Sequence, residues 1–241
     1  MIAAALALAT TMAVVRAADP VPAEPKKSLW EGSATAGLTL TSGNSETLQV
    51  NGNVQAVRKW DRNELNLGAD GTYGEDQGDK SAEQVRGYAQ YNRLFTERFF
   101  GYARAEGLHD AIADVDYRVT LSPGVGYYFI KATNTTLRAE VGPGWVYECL
   151  NGETDNYFTI RFAERFDHKL NDTVKIWQAL EYLPQVDRWG NYLINAEVGL
   201  EVTLSKKLVQ RTYFQDTYDS EPAPGRKKND MKLVVGVGYK F

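Results

Sequence analysis

Leu233-Val-Val-Gly-Val-Gly-Tyr-Lys-Phe241 closes the chain, and its reading decides the fold. Period-two alternation puts Leu233, Val235, Val237, Tyr239 and Phe241 on one face and Gly236, Gly238 and Lys240 on the other. One face suits lipid and the other tolerates water. An ordinary closing strand of a soluble sandwich would show the same alternation, so the choice falls to the rest of the chain.

Working back from that strand, the alternation recurs along the whole sequence. Trp30, Gly32, Ala34, Ala36, Leu38 and Leu40 oppose Glu31, Ser33, Thr35 and Thr39. Leu48, Val50, Val54, Ala56 and Trp60 oppose Gln49, Asn51, Asn53, Gln55 and Lys59, after a tight hairpin signal at Ser42-Gly-Asn-Ser45. Leu65, Leu67, Ala69 and Tyr73 oppose Glu64, Asn66, Asp70 and Thr72, and Val85, Ala89, Tyr91 and Phe95 oppose Gln84, Arg86, Gln90 and Asn92. Further runs fall at 99–108, 115–129, 137–147, 157–166, 174–182, 192–204, 209–218 and 231–241, giving about twelve strands. Both faces of 209–218 carry polar groups, which leaves its register open. Pro123 and Pro143 interrupt good strands and read as bulges or kinks.

Most runs reach the roughly 9–11 residues that a tilted strand needs to cross a bilayer, beyond the usual soluble strand. Brief connections (61–63, 96–98, 131–134, 171–172, 205–207) alternate with longer ones (75–81, 109–114, 148–155, 219–228), the asymmetry of periplasmic turns and outer loops. Trp30, Trp60, Phe95, Phe99, Phe129, Phe166 and Phe241 gather at the turn ends. Tyr73, Trp145, Tyr147, Phe158, Tyr182, Tyr192 and Tyr218 gather at the loop ends, making two aromatic girdles. The fold class expected is therefore all-β, a transmembrane antiparallel up-and-down β-barrel of about 12 strands.

Composition agrees. The 241 residues are 43% hydrophobic, with no internal apolar run near the roughly 20 residues of a spanning helix. The single cysteine, Cys149, allows no intramolecular disulfide and no cysteine-based metal cluster. A formal charge of −4, with Arg226-Lys-Lys228 the one basic trio that stands out, gives no reason to expect a nucleic-acid partner. Residues 1–17 read as a secretory signal peptide lacking a basic n-region, 18–28 as a Pro/Lys extended leader, and 29–241 as the barrel.

The face opposite the apolar one collects Glu31, Glu64, Asp70, Arg86, Arg104, Glu106, Arg118, Arg138, Glu140, Arg161, Arg165, Glu197, Glu201 and Lys232. Of these, Arg86, Arg104, Glu106, Arg118, Arg138, Glu140, Arg161, Glu197 and Glu201 are the pore-lining candidates, rows of charge that select solutes as side-chain rings do in channels. On the alternative reading, Arg104, Arg118, Arg138 and Arg161 pair with Glu106 and Glu140 across neighbouring strands and fill the interior. Catalysis has little support: His168 sits at a turn, and His109 with Asp110 at the outer edge has no matched serine, although a lipid-modifying enzyme could place a histidine there. Gly124-Val-Gly126 and Gly142-Pro-Gly144 are strand glycines rather than phosphate loops, since no helix follows. Neither a cofactor nor a metal is expected.

Trp30-x-Gly32, Gly37 and Thr41-Ser-Gly-Asn-Ser45, with the aromatic-ended final strand, resemble the YdiY-like family, described as salt-induced outer-membrane proteins of unknown function. The resemblance spans essentially the whole chain after the leader and brings no catalytic or ligand residues. It implies a bacterial outer-membrane barrel, possible links to salt or envelope stress, and a C-terminal strand ending at Phe241 that barrel-assembly machinery would recognise. The expectation is a monomer in outer-membrane lipid of a Gram-negative-type cell, forming a narrow pore for small solutes or ions. A plugged structural barrel is the alternative, and a soluble secreted β-protein a third.

Overall fold

A computed structural model describes residues 30–42, 48–76 and 79–241. The expected signal peptide and leader, and the hairpin expected after Ser42, lie outside the described residues. Among those described, twelve antiparallel strands follow in chain order: β1 (Glu31–Ser42), β2 (Leu48–Trp60), β3 (Asn63–Asp76), β4 (Asp79–Leu94), β5 (Phe99–Asp110), β6 (Val115–Lys131), β7 (Thr135–Leu150), β8 (Glu153–Lys169), β9 (Val174–Pro184), β10 (Tyr192–Thr203), β11 (Leu208–Asp219) and β12 (Asn229–Lys240). Each pairs with its sequence neighbours, and β1 pairs with β12, so the sheet closes without an edge. At the seam Gly32 and Phe241 exchange two backbone hydrogen bonds of 3.1 Å. The Phe241 ring covers the Gly32 Cα, leaving no room for a side chain there, which accounts for the Trp-x-Gly pattern.

Burial is inverted relative to a soluble protein. Val50 and Val237 are 63% and 53% exposed, whereas Asn92 and Arg161 are 1% and 5% exposed. The apolar set faces outward and the polar set is enclosed, as expected of a barrel whose solvent is lipid. Both sets of girdle aromatics stand on the outer face at their expected ends. In β11, Val209, Arg211, Tyr213, Gln215, Thr217 and Asp219 turn inward, and the outward Gln210 donates to Thr212 at 2.6 Å.

Three expectations change. The connections at 75–81 and 148–155 are mostly strand: β3 runs to Asp76, β4 starts at Asp79, and β7 and β8 are joined by Asn151 and Gly152 alone. Their φ values of 51° and 81° are those of a tight two-residue hairpin, which extends the ladder beyond the membrane band. The β9–β10 connection, residues 185–191, is correspondingly one of the two longest outer loops, with 220–228. The prolines are not bulges. Register between β6 and β7 is unchanged on either side of Pro123 and Pro143, and the shifts lie at Val115/Tyr117 and Tyr128/Ile130. Both prolines point outward, and Gly124 and Gly142 let the two backbones close up beside them.

Candidate pore in the barrel lumen

All nine pore-lining candidates face inward, because the register keeps even positions of β4 to β7 and odd positions of β8 and β10 on the enclosed side. Low dielectric makes unpaired charge costly there, so the question is where each charge finds its partner.

Arg161 on β8 answers to carboxylates on both neighbouring strands: Glu140 at 2.8 Å and Glu181 at 2.5 Å. Glu140 also accepts from Gln90 at 3.0 Å and lies 3.4 Å from Arg138. Arg138 reaches Glu64 on β3 at 3.8 Å, and Glu64 takes a hydrogen bond from Asn92 at 3.3 Å. Arg104 pairs with Glu106 along its own strand and lies over the Tyr88 ring. Arg86 pairs with Asp70 at 3.1 Å. Glu197 accepts from the Trp177 indole at 2.6 Å, and Glu201 from Arg211 at 2.7 Å and Lys240 at 2.5 Å.

Arg118 departs most from the neighbouring-strand expectation. It pairs with Glu148 on β7, but its other arm bonds Asp219 on β11 at 2.7 Å, on the far wall. Lys232 on β12 likewise donates to Gln84 on β4. Gln215 on β11 meets Arg86 on β4 at 3.1 Å with its amide oxygen turned to the guanidinium. Three wall-to-wall contacts thus cross the outer half of the lumen. Above them, Arg226 in the 220–228 loop bonds Asp114 in the β5–β6 turn through two nitrogens, at 2.6 and 2.8 Å, drawing that loop over the mouth. The guanidinium holds the Asp114 carboxyl below its ordinary range.

The remaining space falls into two parts. A chamber of about 600 Å³ opens at the turn end, and a pocket of about 50 Å³ lies further in. They share Arg86, Arg104, Glu106, Arg161, Glu181, Asn195 and Gln215, which form a waist between them. The smaller space holds a few water molecules at most.

Glu181, Glu148 and Asp219 belong to this network and were not among the candidates. Glu181 shares parity with Lys175 and Trp177, so its signal was available once Trp177 was allowed to face inward. Aromatic residues also enter the lumen: Phe100, Tyr102 and Tyr128, with Leu94, form a buried cluster near the turn end. Four inward rings lie against a glycine directly across the ladder. Phe100 faces Gly126, Tyr102 faces Gly124, Tyr88 faces Gly68 and Trp177 faces Gly199, each ring lying on the glycine backbone.

His109 points outward, its Nδ1 2.9 Å from the Asp116 carbonyl oxygen, and among the described residues no serine hydroxyl bonds it. Among the described residues no cluster of His, Cys, Asp or Glu is arranged to hold a metal.

The barrel resembles solved outer-membrane structures in fold. The KdgM porin aligns with a TM-score of 0.51 at 12% identity, over 87% of this chain and 99% of that one. The same porin in complex with disordered oligogalacturonate aligns equally over both chains, with a TM-score of 0.50. The translocator domain of the autotransporter NalP from Neisseria meningitidis aligns at 0.50 and 10% identity, over 90% of each chain. No curated protein sequence matches the chain. A family model described as "Protein of unknown function, DUF481" matches residues 34–241.

Proposed function

The chain belongs to the DUF481 family, whose function is unknown, and from that premise we propose an outer-membrane barrel whose lumen is a narrow pore held shut by charged contacts across its outer half. It admits water and small ions from the turn side and passes extended solutes poorly. The observation that carries this is the wall-to-wall contact of Arg118 with Asp219, above a water-accessible chamber of about 600 Å³. The apolar exterior, the two girdles and the fold shared with porins support placement in a bacterial outer membrane, with the short turns, the start of β1 and the end of β12 on the periplasmic side. Membrane lipid is then its solvent, the strand ending at Phe241 its signal to barrel-assembly machinery, and a monomer its working form. A role in salt or envelope stress has a physical route here, since the ion pairs nearest the solvent weaken as salt rises.

Oligogalacturonate, named with one KdgM structure, is a polyanion. The lumenal arginines here already meet carboxylates, so this lumen offers such a chain compensated charge. A plugged structural barrel is the second reading, favoured by the same network.

Bilayer recording separates the two. The wild-type protein should give small or rare conductance steps, and Arg118→Ala/Asp219→Ala, which removes one cross-lumen pair with both its charges, should give larger and more frequent ones. Silence from both, with insertion verified by protease protection, would leave the structural barrel.

A further inference from the structure

On the outer face at the turn end, Arg58 of β2 lies between two indoles, its guanidinium carbon 5.8 Å from the Trp30 ring centroid and 5.3 Å from that of Trp60. Its Nε is buried with no hydrogen-bond acceptor, and among the described residues no carboxylate forms an ion pair with it. Every lumenal arginine named above has at least one acidic partner, so Arg58 stands apart. Beyond β3, Arg93 of β4 also faces outward, exposed, and is held by Asn63 Oδ1 at 2.8 Å. That oxygen also accepts from Tyr91, whose ring lies 6.3 Å from Trp60. Trp60, Asn63 and Arg93 are register partners in successive strands, so these groups form one patch. Among the described residues it carries two guanidinium groups and aromatic rings without an ion-paired acid.

The two ends of the barrel differ in this respect. Lys207 repeats the pairing at the turn end, with Nζ 5.3 Å from the Tyr239 ring. At the loop end the outward aromatics pair with one another: Tyr117 with Tyr147, Tyr182 with Tyr192 and Tyr192 with Tyr218, each at 5.6 Å. No cation lies over them among the described residues.

We propose that the Arg58–Arg93 patch binds the phosphate of an anionic phospholipid in the leaflet at the short-turn end. An arginine facing the edge of the apolar band without a counter-ion is costly, and a headgroup phosphate is the anion present at that depth. The planar guanidinium fork suits phosphate oxygens, and Trp30 and Trp60 sit where indoles favour the interface. Because the patch faces lipid, the phosphate arrives on a lipid and not as a free ion. The proposal holds whether or not the lumen conducts, so a silent bilayer recording leaves it standing.

The test titrates the full-length chain, refolded in a zwitterionic detergent, with phosphatidylglycerol and with phosphatidylcholine of identical acyl chains, counting retained lipids by native mass spectrometry. Phosphatidylglycerol should be retained at several-fold lower concentration than phosphatidylcholine. That preference should vanish in Arg58→Gln, survive in part in Arg58→Lys, weaken in Arg93→Gln and persist in Arg188→Gln, a residue of the 185–191 loop at the opposite rim that pairs with Glu221 at 2.8 Å. Equal retention of the two lipids by the wild type overturns the proposal, as does an unchanged preference in Arg58→Gln. Should Arg58→Gln fail to fold by circular dichroism, Arg93→Gln carries the same decision.

Discussion

Phe100 and Gly126 stand directly opposite each other in the β5–β6 ladder, and the ring lies on the glycine where a side chain would be. The fit is steric on both sides: the ring is fully buried, and a Cβ at 126 would overlap it. Gly126→Val should therefore destabilise the barrel by about 1–3 kcal/mol through overpacking. Gly107→Ala, whose Cβ would meet nothing within 4 Å, should be nearly neutral. Urea unfolding in detergent, followed by tryptophan emission, checks both, and equal effects would remove the steric account.

Arg161 bridges Glu140 and Glu181 while almost wholly buried. Replacing it by methionine leaves two enclosed carboxylates short of a cation and should cost about 3–5 kcal/mol. The triple change Arg161→Met/Glu140→Gln/Glu181→Gln should recover most of that loss in the same unfolding assay. A triple variant as unstable as the single one would mean that Arg161 acts through packing rather than charge.

Asp114 lies outside the membrane band, and its hydrogen bonds from Arg226 hold its carboxyl below the ordinary value. Because the folded-state pKa is depressed, the tie contributes fully above the unfolded carboxylate pKa and is lost as pH falls through the lower, folded one. Hydrogen exchange in residues 220–228 should therefore accelerate, beyond its intrinsic pH dependence, once the solution becomes acidic enough to protonate Asp114. Arg226→Gln should show the faster exchange already at neutral pH and lose the acid step. An acid step that survives in the variant would assign it to another group.

Glu164 and Gln178 face lipid between β8 and β9, joined by one hydrogen bond of 3.0 Å, with the second carboxylate oxygen of Glu164 buried and unbonded. Glu164→Leu/Gln178→Leu should stabilise the barrel, by no more than about 2 kcal/mol, since polar groups on the lipid face cost less towards the interfaces. A destabilised double variant would argue that something other than lipid covers this wall.

The alternation that made the barrel legible is local, as β12 illustrates: each residue's face follows from its parity once one face is known. The same rule puts Arg86, Arg138 and Glu201 on the enclosed face, since the β3–β4 slip at Gly74/Glu75 lies away from Arg86 and the β7–β8 and β10–β11 ladders run without one. It fails where partners are remote. Arg118 and Asp219 are 101 residues apart, and nothing near either one marks the other. Parity with Arg104 and Glu106 also puts Phe100 and Tyr102 inside, but does not say what makes room for the rings there, which is a glycine across the ladder. Gly124 and Gly126 were visible as strand glycines, but pairing them with Phe100-Gly-Tyr102 requires the β5–β6 register. At residues 148–155 the Asn-Gly pair reads as a loop, whereas it makes a turn so tight that the strands continue to meet it.

The Arg118–Asp219 contact ties opposite walls, and so works like a spoke in a wheel. A spoke makes the roundness of the rim and the openness of the hub a single mechanical variable: lateral squeezing of the bilayer that flattens the barrel must also load or release this bond. On the pore proposed above, opening the lumen and deforming the wall become one event, and the membrane has a say in both.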